Sequence, residues 1–311
     1  MGVLLFEMKA FGWYLTQSVA ILTDALESTV NVIAGLIGVY SLYISAKPKD
    51  WDHPDGHGKA EFISAAVEGT LITIAGFIIV YEAINNLIHP NAIQRLDYGI
   101  LLLAITGIIN YIAGFICINT GKKNNSLALI ASGKHLQMDT YSTIGIIVGL
   151  MLLYFFKLWW IDSAVAIIFA FIIMFTDYRF IRSSVSGIMD EADKTLINQL
   201  VLILNSNRSA NWIDLHNLRI IKYGGTLHID CHLTLPWYLN IKEANIEIDT
   251  LFEIIKNEFG QSMEIFVHSD GCNDFGCRIC SQQACVVSQY PFEKKIEWTV
   301  ENISENIKHQ L

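Results

Sequence analysis

Glu27 and Asn31, and again His135 and Asp139, stand four residues apart inside long apolar stretches of the chain. Side chains at that spacing lie one above the other on a helix face, so each pair can offer two donor atoms to one point. Two such helices side by side would supply four oxygen and imidazole ligands, a set that suits a divalent transition metal. Ionisable groups at membrane depth are costly and usually face a bundle interior or a wet cavity, so the pattern points to a metal ion carried across a bilayer. The competing reading is a polar contact between helices, which Asn and His side chains also make.

Two further clusters carry ligand chemistry. The stretch Asp50-Trp-Asp-His53-Pro-Asp-Gly-His57-Gly-Lys59-Ala-Glu61 is dense in carboxylate and imidazole. A spacing of three or four between His and Asp lets one tight loop surround zinc or a first-row neighbour, as a secondary site at the cytoplasmic mouth. The alternative is a loop that starts a helix, with Asp as cap and Gly for turning. Farther on, Cys272, Cys277, Cys280 and Cys285 form a C-x4-C-x2-C-x4-C cluster. Disulfides are rare in the cytoplasm, so cysteines this close read as soft metal ligands or redox-sensitive thiols, against unligated loop cysteines. Cys117 and Cys231 read as small apolar filling.

The elements that must hold these groups follow from composition. At 311 residues, 52% hydrophobic and 16% charged, with a mean hydropathy of +0.40, the chain is too apolar for an ordinary soluble protein. Segments 19–46, 62–88, 98–120, 127–156 and 158–178 each allow the roughly 20 residues a bilayer needs. A sixth apolar run, 3–16, is short and broken by Glu7 and Lys9, so it either begins among headgroups or lacks upstream sequence. No basic leader or small-residue cleavage site marks a removable signal peptide. Asp24 is a reserve ligand beside Glu27; Glu68, near the cytoplasmic end of its span, reads either as facing the metal path or as a structural acid, and Glu82 and Asp162, near the outer interface, read as acids in structural pairs.

Lys47, Lys49, Lys59, Lys122, Lys123, Lys134, Arg179 and Arg182 fall on one side of these spans, against Arg95 and Lys157 on the other. The first side is expected to be cytoplasmic, with both termini there. The net charge of −9 then belongs mostly to the tail and argues against nucleic-acid partners.

From Ile188 the composition turns mixed. The pattern predicts a helix over 193–205, strands over 217–223 and 226–235 around Gly224-Gly225, a helix over 241–259 and a strand over 263–268. The expected organisation is a transmembrane metal-transport domain over 1–187, a soluble αββαβ domain with a Cys-rich end over 188–290, and a tail over 291–311. Residues 292–307 read either as a charged amphipathic helix or as a solvated tail.

In this order the motifs resemble the cation diffusion facilitators, a family of six-span, proton-coupled exporters of divalent metals. The resemblance rests on Thr-Asp-Ala-Leu-Glu27-Ser-Thr-Val-Asn31, His-Pro-Asp-Gly-His57-Gly-Lys-Ala-Glu, His135-Leu-Gln-Met-Asp139 and Gly-Ile-Met-Asp190-Glu-Ala. It implies an α-helical six-span membrane bundle, first span short, followed by an α+β ferredoxin-like cytoplasmic domain. It further implies a transport site at Glu27, Asn31, His135 and Asp139, a loop site at Asp50, His53 and His57, and a Lys59–Asp190 ion pair. The soluble domain would dimerise and bind zinc at His216, His232, His268 and Asp270, with Asn245 where some members have another His. Asn31 is a departure, because members often have a charged or imidazole ligand there.

The function so implied is proton-coupled export of a divalent cation by alternating access. The metal is substrate and regulator, zinc first, with iron, manganese, cobalt or nickel open. Metal ions, protons, membrane lipid and a second copy of the chain are the expected partners, with no organic cofactor, in a bacterial inner membrane. A membrane-bound metal sensor and a membrane metalloenzyme are the other classes. The metalloenzyme lacks a His-Glu-x-x-His pair or a nucleophile in a recognisable turn.

Overall fold

The computed structural model describes residues 2–90, 94–123, 127–260, 262–282 and 285–311. The chain divides into two compact units, Met1–Leu42 with Ile63–Val185, and Tyr43–Phe62 with Ser186–Leu311.

The first unit is built from helices α1 (Gly2–Thr16), α2 (Val19–Ser45), α3 (Ala60–Ile88), α4 (Leu96–Lys123), α5 (Leu127–Phe156) and α6 (Trp160–Ile188). Five of these, α2 to α6, contain a stretch long and apolar enough to cross a membrane. At 15 residues α1 is shorter, and it packs against α4. Its buried residues, Leu5, Lys9, Gly12 and Thr16, recur at helical spacing on one face. Lys9, which interrupts the apolar run in sequence, is therefore a bundle residue.

Close helix contact is bought by small residues. A Cβ on Gly114 of α4 would stand 2.7 Å from the Gly133 carbonyl of α5, a distance only glycine permits. The α2 start is fixed by Asp162 of α6, whose carboxylate accepts from the Ser18 hydroxyl at 2.5 Å and the Val19 and Ala20 N–H groups at 2.7 and 3.2 Å. That satisfies donors a helix start leaves unpaired. Helix α6 runs ten residues past 178, where its apolar run ends, because Arg179 and Arg182 stop hydropathy but not helix.

The second unit carries α7 (Lys194–Ser206), β1 (Asp214–Tyr223), β2 (Thr226–Leu235), α8 (Ile241–Phe259) and β3 (Met263–Gly271). The strands form one sheet in the order β1-β2-β3, β1 antiparallel and β3 parallel to β2. This αββαβ arrangement is the expected ferredoxin-like fold. Asp193 caps α7 through the Thr195 and Leu196 N–H groups, and Asn240 with Glu243 forms a capping box on α8.

Alternation decides the two faces of the sheet. Ile229, Cys231, Leu233 and Leu235 of β2 point into a core with Ile197, Leu200, Val201 and Leu204 of α7 and Leu251 and Ile255 of α8. The intervening His228, Asp230, His232 and Thr234 take the opposite face. A register shift between His216 and Arg219 lets β1 keep Leu215, Leu218 and Ile220 in the core while His216 pairs with His232.

Beyond β3 come a 3-10 turn (Asp274–Ile279), an extended stretch and one short helix, α9 (Val300–Ile303). Neither the long amphipathic helix nor the solvated tail describes residues 292–307. Trp298 is 1% and Ile303 0% exposed, and their burial in the domain core anchors the segment.

Candidate metal sites

The two i, i+4 pairs converge. Glu27 and Asn31 of α2 and His135 and Asp139 of α5 line one cavity of about 530 Å³ with Glu68 of α3 and Asp177 of α6. Asn31 Nδ2 donates to Asp139 Oδ2 at 3.3 Å, and His135 Nε2 lies 3.8 Å from Asp139 Oδ1. The amide N–H is thus engaged with Asp139, which leaves the Asn31 carbonyl oxygen as the atom that could face a metal. A second cavity of about 650 Å³ shares Asn31, Glu68, His135 and Asp139.

Asp24, the reserve ligand by spacing, has one carboxylate oxygen engaged: Oδ1 accepts from Lys9 Nζ at 3.0 Å and from the Thr143 hydroxyl at 3.1 Å, both buried, while among the described residues Oδ2 is buried without a hydrogen-bond partner. Of the two readings of Glu68, the structure has the one facing the metal path: its side chain lines the cavity. Asp177 was missed because the neighbouring Arg179 makes it look like a flanking residue of the span.

In the loop before α3, Asp50 gathers both histidines. Its Oδ1 lies 3.0 Å from His53 Nδ1 and its Oδ2 lies 3.3 Å from His57 Nε2, and the two imidazole rings are 4.2 Å apart. Ligand atoms of Asp50, His53 and His57 all fall within 4.8 Å of one another. The His53 hydrogen bond, with the nearby His57, holds the exposed Asp50 carboxyl below its ordinary range against a small desolvation cost. Nearby, Lys59 Nζ donates to Asp190 at 2.8 Å and sits over the Tyr223 ring. Partial burial opposes its charge, but the Asp190 hydrogen bond outweighs this and raises its pKa.

The sheet register builds the third cluster. His216, His232 and His268 are direct neighbours across β1, β2 and β3, and Asp270, two residues after His268, shares their face. The Asp270 carboxylate lies 3.5 Å from His216 Nε2, 3.4 Å from His232 Nδ1 and 3.5 Å from His268 Nε2. His216, His232 and Asp270 form a second compact ligand triad. Behind it, Asp214 Oδ2 faces His216 Nδ1 at 3.4 Å, on the side of the ring away from Nε2 and Asp270.

Sequence reasoning missed three residues here. Asp214 also holds His309, and Lys308 Nζ stands 3.6 Å from Asp270. Burial opposes the Asp214 charge, but the facing His216 and the hydrogen bonds from His309 win and depress its pKa, and the Asp214 bond raises that of His309. Nothing in local spacing brings residues 308 and 309 to a strand near 214. Asn245 donates to Asp249 on its own helix at 2.9 Å.

Cys272, Cys277, Cys280 and Cys285 are all unbridged and half-buried. They line a separate cavity with Pro236, Tyr238 and Tyr290. Burial, then the neighbouring cysteines, push the Cys272 and Cys280 thiols up, and burial pushes Cys231 up to about 12.

Residues 1–189 match the model of a cation efflux transmembrane domain, and residues 192–272 match that of a cation efflux protein cytoplasmic domain. Over 278 residues the chain is 28% identical to a manganese efflux system protein of Bacillus subtilis, covering 86% of this chain and 91% of that protein. It is 24% identical over 267 residues to a cation-efflux pump of Shewanella oneidensis, covering 86% and 89%. A cadmium, cobalt and zinc/H(+)-K(+) antiporter of Bacillus velezensis is 25% identical over 255 residues, covering 81% and 79%.

Proposed function

The chain belongs to the cation efflux family and is an integral membrane cation transporter, and from that premise we propose that it exports a divalent transition metal from the cytoplasm in exchange for protons. The observation that carries this reading is the convergence of Glu27, Asn31, His135 and Asp139 on one cavity inside the helical unit. Metal needs neutral imidazole and ionised carboxylates, whereas protons occupy the same groups once it leaves, so the two cargoes compete for one site. Rocking of the bundle between inward- and outward-open states around that site couples their flows.

In this scheme Glu27, His135 and Asp139 bind metal and exchange protons, and Asn31 completes the shell through its carbonyl. Asp50, His53 and His57 bind metal as a secondary site at the cytoplasmic mouth. His216, His232, His268 and Asp270 bind zinc in the soluble domain, which pairs with that of a second copy and senses the metal level. Both termini face the cytoplasm of a bacterial cell, across its inner membrane. Zinc leads as substrate, while the oxygen-rich set and the manganese named for one relative keep manganese, iron, cobalt and nickel in the comparison.

The test is metal-stimulated proton movement in vesicles reconstituted with the full chain, comparing those five metals, with Asp139→Ala as control. Flux that depends on one metal and vanishes in the variant supports the exchanger and names its ion. Metal binding without flux in the wild type replaces it with a membrane-bound sensor.

A further inference from the structure

We propose that Cys272, Cys277, Cys280 and Cys285 together form a closed four-thiolate zinc site that fastens the segment after β3 to the sheet. The site lies apart from the three histidine- and carboxylate-bearing clusters. Three of its four cysteines fall beyond residue 272, where the match to the cytoplasmic-domain model ends.

The four cysteines come from three pieces of chain. Cys272 follows β3 directly and is anchored by its N–H to the Leu235 carbonyl at 2.9 Å. Cys277 and Cys280 belong to the 3-10 turn and its cap, closed by the Cys280 N–H to the Cys277 carbonyl at 3.3 Å. Cys285 enters from the stretch beyond. All four line one cavity of about 150 Å³, floored by Pro236 and Tyr238 from the end of β2 and walled by Tyr290 and Phe292.

Four thiolates fill a tetrahedral shell and leave no open position, which makes the site structural rather than catalytic, and their softness selects zinc over manganese or magnesium.

The chain that follows shows what such a clasp would hold. Among the described residues from 281 to 299 there is neither helix nor strand, and the far part is tied down by the Glu293 and Lys294 N–H groups on the Arg278 carbonyl, at 2.7 and 3.2 Å, and by burial of Trp298 in the domain core. A metal joining the turn to Cys285 would constrain the start of the segment. Among the described residues, no three of these sulfurs lie within 4.8 Å of one another, so a closed shell at Zn–S distances of about 2.3 Å requires them to come closer together than they stand here. The preference for metal over disulfide rests on the cytoplasmic placement of this domain, where thiols stay reduced.

The test uses the full chain, purified in detergent, washed with EDTA and analysed for zinc. Wild type, Asp139→Ala and Asp270→Ala should each retain about one zinc per chain, and Cys277→Ser/Cys280→Ser should lose it. Cobalt added in place of zinc should give strong thiolate-to-cobalt charge transfer in wild type. Cys285→Ser, which leaves three thiolates, should weaken that band without abolishing tetrahedral cobalt, so the reading survives a double variant that does not fold. Wild type that holds no zinc after EDTA and shows no such band, iron–sulfur absorbance, or disulfides in the native protein would each overturn the proposal. None of these readouts involves flux, so failure of the exchanger leaves this result standing, and the reverse.

Discussion

Lys9 Nζ sits 3.0 Å from Asp24 Oδ1 with both side chains almost wholly buried, 2% and 1% exposed, one helical turn from Glu27. The pair explains how a short first helix with a lysine in its apolar run can belong to the bundle. Removing one partner strands the other as an uncompensated buried charge. Lys9→Met should therefore cost about 3–5 kcal/mol, and Lys9→Met/Asp24→Leu should recover most of it. Thermal unfolding of the three proteins in one detergent checks this, and equal losses in the single and double variants would dissolve the pair.

Asn31 differs from the other members of its cavity because it carries no charge and donates to Asp139. Asn31→Asp places two carboxylates against each other. They share a proton until a metal displaces it, so metal binding should release about one more proton than in wild type. Calorimetric titration in buffers of different ionisation enthalpy counts those protons. An unchanged count would place Asn31 outside the metal shell.

The loop cluster depends on Asp50, which touches both His53 and His57. As a secondary site it should set how readily metal is captured, not how fast the loaded bundle turns over. Asp50→Ala should raise the metal concentration needed for half-maximal flux severalfold while the maximal rate stays near wild type. A collapse of the maximal rate with unchanged half-saturation would move these ligands onto the transport path.

Asp193 caps α7 and accepts from Lys222 Nζ at 2.6 Å, a bond that, over a smaller desolvation cost, lowers its pKa. A depressed carboxyl contributes stability that is present above its unfolded pKa and lost as pH falls through the folded value. Asp193→Ala should cost about 1 kcal/mol at neutral pH. Asp193→Asn should keep much of the cap but flatten the acid side of the profile. Hydrogen exchange of residues 194–206 in the full chain, measured from neutral to acid pH, reads both effects.

Much of this was legible because two periodicities are strong. The i, i+4 spacing of Glu27/Asn31 and His135/Asp139 gave one ligand face on each of two helices. The alternation of β2 separated His228 and His232 from Ile229 and Leu233. What stayed hidden depends on tertiary pairing. Residues 214–216 precede the expected strand start at 217, and the shift at 216–219 that turns His216 toward His232 has no local signature. Lys9, Asp177, Lys308 and His309 gain their meaning only from partners distant in sequence. Residues 292–307 looked like a helix or a loose tail by charge pattern, but the pattern does not report that the core has a place for Trp298.

Arg208 shows how that last segment is held on its far side. Its guanidinium donates to the Trp212 carbonyl at 3.0 Å and to the Ile213 and Ile296 carbonyls at 2.5 Å, and stacks on the Trp298 ring at 3.9 Å. Burial lowers its pKa to about 10, with Asp214 opposing, so the charge persists at neutral pH and its hydrogen bonds answer the desolvation. Lysine keeps the charge but cannot span three carbonyls in a plane or stack as a flat group. Arg208→Lys should thus cost about 2–3 kcal/mol through unpaired buried carbonyls, nearly as much as Arg208→Ala. The loss should appear as faster hydrogen exchange across 296–303 before any change in α8. Exchange in Arg208→Lys indistinguishable from wild type would mean that core burial of Trp298 alone anchors the segment.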